Sequence, residues 1–214
     1  SVMVGYKHPH KVVATVGDYR AEIVERLYLS MLNARLREIA QKPDAPFLGA
    51  SASVSTFIAR TVSALSFGAG VKDGGVERGA EAVLTEARRV DQFGFLPSEL
   101  QREKDNTLRN WQRMYAERDK TSSAVRAAEL VRNFLEDEDI PGTQAEYDMT
   151  RQLLPFITLA EVNAVARDWI KDQNRIALIT VPKKPGVPVP TEIQILAMLD
   201  RASKATVTVS GFAG

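Results

Sequence analysis

Between Asp18 and Ser53 the chain carries a helix-length apolar pattern, a turn framed by two prolines, and then a run of small residues. No other stretch limits the fold as much. Ile23, Val24, Leu27, Met31 and Ala34 recur at helical spacing, and Leu29, Leu32, Leu36 and Ile39 form a second stripe beside them. Two adjacent stripes fill more than half of the helical circumference, so the spacing predicts a helix from Asp18 to Gln41 covered on two sides. Asp18 is its expected cap, with Glu22 in the first turn; Glu22, Arg26, Asn33 and Arg37 share the opposite, wet face. Pro43 and Pro46 force the chain out of the helix, because each removes a donor and restricts the residue before it. Phe47 to Phe57 and Thr61 to Phe67 then read as strands rich in Ala and Ser, a surface flat enough for a helix to approach closely.

Val2 to Tyr6 reads as an earlier strand, with Pro9 expected to end regular pairing. Gly68, Gly70, Gly74 and Gly75 mark a turn region. Helices follow over Val76 to Phe93, from a Ser98/Gln101 capping box to about Arg118, and from Thr121 or Ser122 to Leu135. A short helix capped by Thr143 ends near Leu154, and a Thr158/Glu161 box opens one more to about Lys171. Arg175 to Val181 is a closing strand rich in β-branched residues. Strand, helix, two strands, several helices and a strand is an α+β order with segregated helices. One domain is expected over 1–182. Residues 183–214 read as a proline-rich linker, a helix from Thr191 to Ala202 and a loose tail from Thr206, leading to a next domain. The chain opens on Ser rather than Met, as expected of a segment of something longer.

Composition removes several kinds of chemistry. Net charge is +1, from 28 basic and 27 acidic residues, with no clustered cations for a nucleic-acid backbone. There are no cysteines, which excludes disulfides, thiolate catalysis and cysteine-ligated zinc. No apolar run reaches the ~18 residues of a bilayer span, and no signal-peptide pattern opens the chain. Neither a Gly-x-Ser-x-Gly elbow nor a phosphate loop occurs. Trp111, Tyr115 and Trp169 read as packing residues. His8 and His10 are the only histidines. Pro9 between them argues for a loop carrying two exposed imidazoles, and their spacing fits neither His-Glu-x-x-His nor His-x-x-Glu-His. Arg35 falls inside the apolar arc of the long helix and needs partners there. It is either a structural ion pair, with Glu38 the nearest candidate, or an arginine turned into an interdomain cavity to meet peptide.

The run LNARLREIAQKPDAPFLGASAS resembles a stretch of the pitrilysin/insulinase-type zinc metalloproteases, in particular long bacterial members built from four homologous domains. Leu32-Asn33, Arg35-Leu36, Glu38-Ile39 and Pro43 to Phe47 carry the likeness. Tyr6 to Pro9, Asp18 to Arg20, Leu96 to Leu100, Ile157 to Val162 and the strand ending at Val181-Pro182 also fit. The resemblance implies an antiparallel-rich sheet with helices packed on one face, in a chamber enzyme whose halves close around a peptide. Its zinc sits on a His-x-x-Glu-His helix of a preceding domain, where a metal-bound water is activated with a Glu base. This chain lacks that motif, so the resemblance implies a non-catalytic domain, with no cofactor of its own, that encloses and positions peptide. The alternative is an inactive scaffold or assembly subunit of the same family. Partners are homologous domains of the same polypeptide and the peptide substrate, without nucleic acid or membrane; an isolated chain is expected to self-associate. A bacterial periplasmic location is implied by resemblance alone. In some members a later domain carries an Arg and, seven residues on, a Tyr that contact substrate. Arg35 or Arg37 takes the arginine position here, but residues 42 and 44 are Lys and Asp. Arg35, Arg37 and Phe47 are therefore the candidate substrate- or interdomain-facing residues, and no catalytic residue carries over.

Overall fold

The computed structural model describes residues 1–171 and 173–209. In chain order the elements are β1 (Val2–Pro9), α1 (Val16–Ala40), β2 (Gly49–Phe57), β3 (Ala59–Gly70), α2 (Val76–Phe93), α3 (Pro97–Ala116), α4 (Ser123–Glu136), α5 (Gly142–Leu153), α6 (Leu159–Trp169), β4 (Arg175–Ile179) and α7 (Glu192–Lys204). The sheet order is β2-β3-β1-β4, and every neighbouring pair is antiparallel. Side-chain alternation sorts the strands into two faces. Val2, Val4 and Tyr6 oppose Ala69, Phe67 and Leu65, which in turn oppose Ala50, Ala52 and Val54. That face is apolar and lies under α1 and α2. The other face presents Ser51, Ser53, Ser55 and Leu178, all exposed. The fold is thus α+β, an antiparallel sheet with helices on one face. No helix among the described residues is long and apolar enough to cross a membrane.

Helix α1 is the centre of the core. Tyr19, Ile23, Val24, Leu27, Tyr28, Met31, Leu32 and Leu36 are all buried, against the sheet on one side and α6, α5 and α3 on the others. The predicted two-sided cover follows from its two apolar stripes. Its cap is Thr15, not Asp18. The Thr15 hydroxyl accepts from the Asp18 backbone N–H (3.1 Å), while the Asp18 carboxylate accepts from Thr15 N–H (3.0 Å) and hydroxyl (2.7 Å). This reciprocal pair satisfies more orphan donors than Asp18 capping alone. Asn33 leaves the wet face. Its amide donates to the Ala52 carbonyl (2.8 Å) and accepts from the Ala52 N–H (2.7 Å), standing in for a next strand at the β2 edge.

Strand β1 continues through Pro9 instead of stopping before it. Lys7 donates toward the β4 side, to Asn174, so Pro9, two residues on, turns its missing N–H to the same side. There β4 pairs only as far as Tyr6, and no ladder bond is lost. Gly68 and Gly70 belong to β3, which leaves Gly74 (φ 78°) and Gly75 to make the turn. Helix α3 opens two residues earlier than its Ser98/Gln101 spacing suggests: Leu96 is its cap, with its N–H donating to Glu99 (2.7 Å), and Pro97 is its first residue. Helix α5 begins at Gly142, placing Thr143 inside it. The Thr158/Glu161 box opens α6 as its spacing predicts. Helix α7 returns to pack on α2 and buries Met198, Leu199 and Ala202. The last part of the expected tail, residues 210–214, lies outside the described residues.

Candidate functional site

Because β1 runs straight through Pro9, alternation turns both imidazoles toward the helix-covered face. The His8 Nε2 donates to the Trp169 carbonyl (2.7 Å), and its ring meets the indole edge-on at 4.6 Å between centroids. His10 Nδ1 lies 2.9 Å from the Ser63 hydroxyl. Both rings are half-buried, which corrects the expectation of two exposed imidazoles. A catalytic zinc takes three protein ligands. Among the described residues no three His, Asp or Glu side chains converge on one point, and the two histidines are tied to different elements. The residues present do not fit a zinc ion.

Arg35 is 1% exposed and sits where three helices meet. Its Nε and Nη2 grip both oxygens of Glu99 at 2.7 Å each, its Nη1 reaches Glu86 at 3.2 Å, and Nη2 also donates to the Gly94 carbonyl at 3.3 Å. Phe95 lies under the guanidinium, 4.9 Å from its centroid. Burial pulls the Arg35 pKa down, and the Glu99 and Glu86 carboxylates more than offset this, so it stands raised. The partners come from α3 and α2, far along the chain, rather than from Glu38. Gly94 (φ 72°) makes the junction possible, since a Cβ there would lie 2.4 Å from the Asn163 amide. Phe47 is buried in the core and Arg37 is exposed in the last turn of α1.

A further concavity lies elsewhere. A groove of about 850 Å³ opens between the first half of α1, the β2–β3 hairpin and α6. Val24, Val54, Val165 and Trp169 make its floor, and carboxylates ring it. Burial raises the Glu25 carboxyl, with a hydrogen bond from the Trp169 side chain opposing the shift. Glu161 is held down at about 2, first by the Arg20 guanidinium (2.6 Å) and then by the Thr158 N–H. Asp18 is lowered chiefly by the Thr15 hydroxyl. Sequence reasoning marked Asp18 and Glu161 only as capping residues. Nothing local in the sequence signals that α1, α6 and the residues after α4 bring their acids to one rim.

The antiparallel sheet and its helix layer form an α+β domain with the fold seen in insulinase-type (M16) metalloprotease domains. No family model matches the chain. In sequence it is similar to the zinc protease PQQL-like of Arabidopsis thaliana, with 26% identity over 163 residues, which is 76% of this chain and 14% of that protein. In structure it is similar to the periplasmic protease PqqL from Escherichia coli. Against the whole enzyme the TM-score is 0.86 at 19% identity, covering 100% of this chain and 24% of PqqL; against the structure of its first half, 0.85 at 18%, covering 99% and 45%. It also resembles a peptidase M16 inactive domain from Pseudomonas fluorescens, with TM-score 0.55 and 16% identity over 86% of this chain and 42% of that one. The chain therefore spans a minor part of the length of each of these proteins.

Proposed function

We propose that this chain is a non-catalytic domain of an insulinase-type zinc metalloprotease, enclosing peptide substrate and positioning it for a zinc site held by a preceding domain. The observation that carries the reading is a protease-domain fold whose two histidines, two positions apart, are both engaged in structural hydrogen bonds. The printed description of the Pseudomonas domain as inactive supports it. The match to the first half of PqqL supports a place within such a half, and the missing His-x-x-Glu-His motif makes it the second domain there. Residues 1–182 are then the domain unit. Residues 183–214 connect onward, and α7 first docks back onto α2. Homologous domains of the same polypeptide are its partners, and the periplasmic description of PqqL supports a bacterial periplasmic location. Of the three candidate contact residues, Arg37 is the one whose exposed side chain is available to substrate or to a neighbouring domain; Arg35 and Phe47 act by holding the wall in shape.

The test is to express the protein with its native upstream sequence. A His-x-x-Glu-His motif about one domain length upstream, with chelator-sensitive peptide cleavage by the longer protein and none by the 214-residue chain, is the expected result. Absence of that motif favours the inactive scaffold or assembly subunit. Stoichiometric zinc and peptide cleavage by the 214-residue chain alone would overturn the reading.

A further inference from the structure

The groove beside α1 has a charge that the rest of the chain does not. Helix α1 gives it Asp18, Glu22 and Glu25, α6 gives Glu161 and Asp168, and the residues after α4 give Asp137 and Glu138. Among the described residues of the lining, Lys11 and Arg20 stand against these seven carboxylates, a formal −5, with His10 the one further titratable group. The chain as a whole carries +1, so the acid is concentrated here. Three of the seven have cations in place: Glu161 with Arg20 (2.6 Å), Glu22 with Arg26 (2.6 Å) and Glu138 with Arg132 (2.7 Å). Asp18 serves the α1 cap. Among the described residues Glu25, Asp137 and Asp168 remain around an apolar floor, with Lys11 on the lining and Arg26 beside Glu25 as the nearby cations. An acidic rim over Val24, Val54, Val165 and Trp169 matches a ligand that is apolar along its length and positive at its side chains. Aliphatic stems of Lys or Arg suit such a floor, while their heads reach the rim.

We propose that this groove docks a cationic peptide segment, one bearing Lys or Arg next to apolar residues, through Glu25, Asp137 and Asp168. The proposal rests on the peptide-enclosing function above and adds the class of substrate. Glu25 is the half-buried member. A carboxylate raised by burial gains most from an incoming ammonium or guanidinium, and Trp169, on the same lining, is placed to report that event by indole fluorescence.

The experiment uses the 214-residue chain and two labelled ten-residue probes, alternating Arg with Leu and alternating Glu with Leu. Binding is read by fluorescence anisotropy at low and moderate salt. The Arg probe should bind, lose affinity as salt rises and perturb Trp fluorescence; the Glu probe should not bind. The D137N/D168N double variant should weaken the Arg probe about fivefold, the size expected of two exposed ion pairs, and E25Q should weaken it further. Because Asp137 and Asp168 are exposed, the double variant keeps the test sharp should E25Q fail to fold. E81Q on α2, outside the groove lining, is the control and should change nothing. Equal binding of both probes overturns the charge selection yet leaves the peptide-enclosing reading standing. Arg-probe binding untouched by D137N/D168N and E25Q places the site elsewhere and also overturns the proposal, as does no binding of either probe. The enclosing function itself fails only by the cleavage test on the longer protein.

Discussion

Replacing Arg35 with Met removes the cation from a buried network and leaves two carboxylates behind. Glu99 is 2% exposed and Glu86 3%. Each keeps one donor, Glu99 the Leu96 N–H at 2.7 Å and Glu86 the Arg89 guanidinium at 2.9 Å. Breaking a buried pair by deleting one partner costs about 3–5 kcal/mol, and the surviving donors place this case toward the lower end. For a domain of this size the melting temperature then falls by about 6–15 °C. Circular dichroism melts and urea titrations measure it. Glu99 is left in the interior without the guanidinium that gripped both its oxygens. Adding Glu99→Gln removes the stranded charge while keeping an acceptor for Leu96, and R35M/E99Q should regain more than half of the loss. A drop below about 1 kcal/mol for R35M, where a buried pair demands more, would refute the reasoning. So would a double variant as unstable as the single one.

Three further outcomes follow from the same geometry. Glu161, held at about 2 in the folded state by Arg20 first and Thr158 second, contributes stability above the ordinary carboxylate range that disappears as pH falls through about 2. Its side-chain NMR titration should centre near 2 and move upward in Arg20→Gln, and an unmoved midpoint counts against the pair. Asn33→Leu deletes both bonds to Ala52 and should cost about 1–2 kcal/mol. Hydrogen exchange at the Ala52 amide should speed up while core amides stay slow; unchanged exchange at Ala52 contradicts the edge-covering role. Ile58 turns the β2–β3 hairpin at φ 62° while 94% exposed, a left-handed conformation that a β-branched side chain resists by about 1–2 kcal/mol. Ile58→Gly gives part of that back through a freer unfolded chain, so urea denaturation should show a net gain of about 0.5–1 kcal/mol, and a loss would mean the Ile side chain packs in solution.

What was legible in the sequence was what neighbours along the chain decide. The stripes of α1, the break at Pro43 and Pro46, the small-residue strands and the Thr158/Glu161 box are local patterns, and each appears near its expected place. Arg35 shows the limit of such reading. On one helix the only acids within reach are at i±3 or i±4, so Glu38 was the natural partner, whereas Glu99, 64 residues on, is the one that grips it. Pro9 shows another. Whether a proline ends a strand depends on which side its missing N–H faces and whether a neighbour extends that far, and both are properties of the sheet. The acidic groove is the extreme case, because its rim is assembled from α1, α6 and the residues after α4, which share no pattern along the chain.

The two histidines reverse that relation. Their number and spacing were fixed by composition, and the sheet adds only their direction, inward toward Trp169 and Ser63. A hydrolytic metal at either ring would have to break a structural hydrogen bond and still find two more ligands on elements that present none together among the described residues. What residue type withholds is the His-x-x-Glu-His zinc helix, which two histidines two positions apart cannot make. Binding is different in kind: shape and charge come from how elements converge, and here they converge on an apolar floor with an acidic rim. On the proposed function the domain acts on a peptide by where it holds the chain, so its influence on cleavage should appear in affinity and in the choice of bond cut. Neutralising Asp137 and Asp168 in the longer protein should accordingly raise KM for Arg-rich peptides with kcat little changed. A fall in kcat at unchanged KM would mean that the groove acts on the reacting centre itself.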